Sequence, residues 1–160
     1  MRHSPSRRRS GFTFIEMLTV FVVLAAAMMI SVRAIGDTLR RDRVTKVSAI
    51  LGSDLEQAFA LAARLREPVR IVVDTARATR RIRIQNRKPS PTFYKLRLLD
   101  SSSTYALDSM ITNRDTIDIM PNGLATDSLK LTLFIETAGG KWYTKSVWAS
   151  KAGLVKVNGR

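Results

Sequence analysis

Gly11-Phe12-Thr13-Phe14-Ile15-Glu16, continued without interruption by residues 17–32, is the stretch that decides the fold. Residues 12–32 form a run of 21 that holds a single charge, Glu16. At about 1.5 Å per residue such a helix is about 31 Å long, which matches a bilayer's hydrocarbon thickness of about 30 Å. A secretory signal would have a shorter apolar core, a cut on its far side and no carboxylate within it. At the centre of a span a carboxylate costs roughly 2.5 to 3.5 kcal/mol on insertion scales. Glu16 lies near the start of the run, so it either snorkels to the headgroups or has a partner.

Working outward toward the N-terminus, residues 1–11 carry Arg2, Arg7, Arg8, Arg9 and the chain's single histidine, His3, with no acidic residue. By the positive-inside rule this is a cytoplasmic anchor, although Arg33, Arg40, Arg41 and Arg43 beyond the span oppose it. The order basic leader, Gly11, Phe12, Thr13, Phe14, Ile15, Glu16 and long apolar helix resembles the class III signal of type IV pilins and pseudopilins. That resemblance implies cleavage by a prepilin peptidase between Gly11 and Phe12, with methylation of the new Phe12 amine. It also implies a partner for Glu16, because in such filaments the glutamate neutralises the terminal amine of a neighbouring subunit. The implied location is the inner membrane, single-pass, with a cytoplasmic N-terminus and an extracytoplasmic C-terminal domain. The implied partners are other pilins or pseudopilins and an inner-membrane assembly platform.

On the other side of the run, Val44, Val47, Leu51, Leu55, Ala58, Ala62 and Leu65 recur at steps of three and four, drawing one apolar face on a continuing helix. Asp54 falls among the polar residues assigned off that face. Glu67-Pro68 stops the helix near residue 66, since a residue before proline is pushed out of helical geometry. Gly36 and Gly52 read as weak points in it. The segments are therefore a leader (1–11), a membrane or filament-core helix (12–32), its amphipathic continuation (33–66) and a sheet domain (67–160).

From residue 69 the hydrophobic period becomes two. Strands are expected over 69–73, 81–85, 94–98, 129–135, 142–148 and 154–157, separated by turn signals at 74–75, 86–91, 122–123 and 139–140. One helix followed by strands with short connections predicts an α+β fold, a long helix packed on an antiparallel sheet. The pilin resemblance implies the same. Residues 60–71, with the helix end, Pro68-Val69 and first strand, and residues 150–157 resemble the GspH/FimT branch of minor pseudopilins.

The chain carries 27 Lys+Arg against 13 Asp+Glu, a net +14. Without the leader's four arginines, 23 basic residues face 13 acidic ones, leaving +10. With no cysteine, and its histidine confined to the leader, the mature chain has no usual general base, thiol nucleophile or zinc ligand set. It has no Gly-Lys-Ser/Thr phosphate loop. Asp115 and Asp118 have the residue types of a glycosidase pair. Their spacing in a polar turn is commonplace, and no catalytic residue, metal or cofactor is assigned.

Two functions remain. The first is a structural subunit of a type II secretion or type IV pilus-like filament. The second, which the FimT resemblance also implies, is a DNA-binding minor pilin of an uptake system. For the latter, pairing of 81–85 with 94–98 would gather Arg81, Arg83, Lys95 and Arg97 on one sheet face, with Lys151, Lys156 and Arg160 as a basic tail. Such a patch binds phosphates by counterion release, and the competing reading is a solvated outer face.

Overall fold

The computed structural model describes residues 13–100, 103–137 and 139–159. Helix α1 (Phe14–Leu65) is followed by β1 (Val69–Asp74), β2 (Arg81–Asn86), β3 (Phe93–Leu98), β4 (Ser109–Thr112), β5 (Thr116–Ile119), β6 (Leu129–Glu136), β7 (Trp142–Ala149) and β8 (Val155–Gly159). The expected strands are present within a residue or two, and α1 ends one residue before the expected stop. Arg66 there adopts φ 52°, the left-handed turn that closes a helix, immediately ahead of Glu67-Pro68. Two short strands, β4 and β5, escaped the periodicity because four residues are too few to establish alternation.

The chain divides into two units, residues 1–36 and 37–160. In the first, the described residues form the N-terminal part of α1, with every described side chain from 13 to 32 exposed. The second holds the whole buried apolar core, which begins at Val44.

Among the described residues there are two sheets instead of one, each of four antiparallel strands, ordered β3-β2-β1-β5 and β4-β6-β7-β8. The split arises because β5 leaves its neighbours in sequence to pair with β1, while β6 pairs back to β4. Val44, Val47, Leu51, Leu55, Ala58 and Ala62 of α1 are buried against Val69, Ile71, Ile82 and Ile84 of one sheet and Leu129, Leu131, Leu133 and Val147 of the other. Leu65, expected on this face, is 39% exposed because the helix ends beside it.

Gly52 is a packing site. A Cβ there would lie 3.0 Å from Val157 Cγ2, so the absent side chain is what lets β8 approach the helix. On the adjoining turn, Gly153 has φ +81° and would place a Cβ 3.2 Å from the Phe59 ring, so it is required by conformation and by contact.

Nearer the start of this unit, Arg40 donates a hydrogen bond to the Glu136 carbonyl at 2.5 Å, and the Arg41 guanidinium lies 4.2 Å from the centre of the Tyr143 ring. These contacts join α1 to the β6–β7 hairpin.

Candidate assembly and binding sites

At the start of α1 the sequence Thr13-x-x-Glu16 closes a capping box. Thr13 precedes the first helical residue; its backbone N–H and its hydroxyl donate to Glu16 Oε2 at 2.9 and 3.0 Å, and the Glu16 N–H donates to Thr13 Oγ1 at 3.3 Å. The Thr13-x-x-Glu16 spacing that carries the box is local to the sequence. Glu16 thus has local hydrogen-bond partners within its own subunit. The other polar groups of the apolar stretch are satisfied the same way: Thr19 and Ser31 donate to the carbonyls of Ile15 and Ala27, four residues back, at 2.8 and 3.0 Å. The rest is bare apolar surface: Phe14 is 84% exposed, and the run reads as long and apolar enough to cross a membrane. Gly11 and Phe12, the expected processing pair, lie outside the described residues, as does Arg160.

The cationic hairpin takes a different form from the expected one. Near the loop, the register pairs Gln85 with Phe93, and the Asn86 N–H donates to the Thr92 carbonyl at 3.1 Å. Continued without interruption, that register would set Arg83 opposite Lys95 and Arg81 opposite Arg97, on one face. A bulge between Ile84 and Gln85 adds Tyr94 to β3, and every later pair shifts by one: Ile84 with Lys95, Arg83 with Leu96, Ile82 with Arg97, Arg81 with Leu98. Since side chains alternate with period two, one extra residue sends the remainder of the strand to the other face. Lys95 and Arg97 therefore share the helix-facing side with Ile82 and Ile84, whereas Leu96 and Leu98 join Arg81 and Arg83 on the outer side. The expected patch of four is two pairs separated by the sheet.

On the inner side, Lys95 and Arg97 meet Asp54 of α1. Lys95 Nζ is 2.5 Å from Asp54 Oδ1 and Arg97 Nε is 2.6 Å from Oδ2, while the Asp54 side chain is only 4% exposed. Lys95 also donates to Gln57 Oε1 at 2.7 Å. Asp54 was assigned off the buried face, yet it follows Leu51 by three and precedes Ala58 by four, which puts it on that face. Only a partner from the sheet makes a carboxylate there tolerable, and the register that supplies it is invisible in the helix sequence.

Ion pairs engage the other cations unequally. Arg81 Nε lies 3.5 Å from Asp74. Lys151 shares Asp127 with Arg114, at 3.8 and 2.7 Å. Arg83 makes no ion pair within hydrogen-bonding reach among the described residues, and its Nε is buried without an acceptor. Lys156, on β8, is exposed in the other sheet.

Asp118 also departs from expectation, since it belongs to β5 and not to a polar turn. It stands opposite Arg70 across the β1–β5 pair and accepts two hydrogen bonds from that guanidinium, at 2.7 and 3.0 Å, with Arg87 at 3.4 Å. The hydrogen bonds from Arg70 hold its carboxyl below the usual carboxylate range, against the opposing effect of burial. Asp127 and Asp74 are lowered too, chiefly by Arg114 and by the Ala76 N–H. A depressed folded-state pKa contributes stability above the unfolded value of about 3.9 that is lost as pH falls through the folded value. The unfolding midpoint in urea of residues 37–160 is therefore expected to be flat between about pH 5 and 7 and to drop below about pH 4, less steeply in Asp118→Asn. An equally steep acid limb in both proteins would remove Asp118 from this account.

A prokaryotic N-terminal methylation motif matches residues 6–32. In structure, the chain is similar to the minor pseudopilin EpsH from the type 2 secretion system of Vibrio cholerae. The TM-score is 0.57 at 12% identity, over 73% of this chain and 97% of that one. The fold is pilin-like. No curated protein matches the chain. The motif lies on the apolar run, which fits a membrane-anchored pilin.

Proposed function

We propose that this chain is a minor pseudopilin, a subunit of a type II secretion or type IV pilus-like filament. It is inserted in the inner membrane with its N-terminus cytoplasmic and cut after Gly11. The observation that carries this reading is the methylation motif placed directly on a bare apolar helix that continues into a pilin-like domain. Such a subunit is held in the bilayer by residues 12–32 and leaves it when neighbouring helices cover the same surface. Its function is mechanical and needs no cofactor.

Intact-mass measurement on the protein purified from native membranes tests the first step. The expected species begins at a methylated Phe12; a mass that retains residues 1–11 would refute processing. Co-purification of the mature chain with other pseudopilins tests the second.

The alternative, a DNA-binding minor pilin, calls for a continuous cationic face, and the bulge in β3 divides that face. Duplex DNA titrated with residues 37–160 over a salt series is expected to give the same weak salt slope when Arg81 and Arg83 are changed to Gln. A slope that flattens in that variant would reinstate DNA capture, since each lost phosphate contact removes about one unit of slope.

A further inference from the structure

The outward-turned half of β3 has no place in the fold. This strand ends the order β3-β2-β1-β5, so among the described residues no strand pairs with its other edge. The Leu99 N–H donates inward to the Arg80 carbonyl at 2.8 Å; by alternation along the strand, the backbone groups of Leu96 and Leu98 point to the open edge. Their side chains, with that of Phe93, lie on the outer face at 51%, 47% and 56% exposure. A strand that turns its leucines to water and its cations to the helix has inverted the usual polarity, and an exposed apolar edge strand is a template for another chain.

We propose that the open edge of β3 docks an extended segment of a protein partner in which apolar and acidic residues alternate. The apolar residues lie beside Leu96 and Leu98, and backbone hydrogen bonds to those two residues add the segment as a fifth strand. Charge selects the acidic residues. On the inner side Lys95 and Arg97 share one carboxylate, Asp54, leaving one positive charge in excess, and both side chains remain about 30% exposed. The same charges disfavour a second copy of β3, which would set cation against cation across the new pair. This surface does not depend on the filament reading.

The test uses the full chain in detergent micelles and a synthetic octapeptide alternating valine and glutamate. By fluorescence anisotropy it is expected to bind, to weaken with added salt, and to slow amide exchange at Leu96 and Leu98 by about tenfold or more. Leu96→Asn with Leu98→Asn alters only exposed side chains and is expected to lose about tenfold in affinity while its melting temperature holds. No binding at millimolar peptide, protection confined to other amides, or equal binding of a valine–lysine peptide would overturn the proposal. Protection of the same amides that rises with protein concentration, without peptide, would also overturn it by making the occupant a second copy.

Discussion

Asp54→Ala is expected to lower the stability of residues 37–160 by about 3 kcal/mol, the lower end of what removing one partner from a buried ion pair costs. The Asp54 carboxylate is nearly inaccessible and holds Lys95 and Arg97 against the helix. Without it two cations, each about 70% covered, face one another beside an apolar core, and only their partial exposure keeps the loss from being larger. For a domain of this size the thermal midpoint should fall by on the order of 10 °C. Asp54→Asn keeps the shape and loses the charge, so it should fall nearly as far. Replacing the three together, Asp54→Leu with Lys95→Leu and Arg97→Met, should recover much of the loss, because well-packed apolar groups often match a buried ion cluster. Urea unfolding of the four proteins measures this. A midpoint in Asp54→Ala within error of the parent would mean that the cluster is solvated and that the register of β3 has no energetic consequence.

The second large effect is on assembly. Glu16→Gln is expected to insert normally and to fail to enter filaments, whereas Thr13→Ala is expected to assemble. The capping box makes this pair of variants informative. Glutamine at the third helical position still accepts from the Thr13 N–H, so Glu16→Gln preserves the cap and removes only the charge. Thr13→Ala removes the hydroxyl that donates to Glu16 and accepts from its N–H, costing the helix end about 1 kcal/mol, and leaves the charge available. In an apolar filament interior an unpaired carboxylate costs several kcal/mol, and on the proposed filament reading the amine of a neighbour's Phe12 is the group that would offset it. Within its own subunit, Glu16 has the Thr13 donors as local partners. The measurement is the fraction of each variant recovered in sheared filaments against the fraction in membranes. Normal assembly of Glu16→Gln would end the charge-pairing idea; failure of Thr13→Ala alone would make the residue a helix cap and nothing more.

The sequence by itself determined the elements whose signals are local. Twenty-one residues with one charge make a helix long and apolar enough to cross a membrane; Glu67-Pro68 stops a helix from within; Val44 to Ala62 at steps of three and four, and the alternation in β1, β2 and β6, specify faces without reference to anything distant. The capping box was equally local, since Thr13 and Glu16 carry it in their spacing. What the tertiary structure decided is the relation between strands. A single added residue, Tyr94, reversed the faces of β3: period-two alternation fixes which residues share a side, whereas pairing with β2 fixes which side that is. That reversal buried Asp54 under two cations, exposed Leu96 and Leu98, and divided the basic hairpin. Likewise, the pairing of β5 with β1 turned Asp118 from an apparent loop residue into the partner of Arg70. These outcomes depend on registers between segments far apart in sequence, and a one-residue shift in such a register leaves the composition and the period of each strand unchanged.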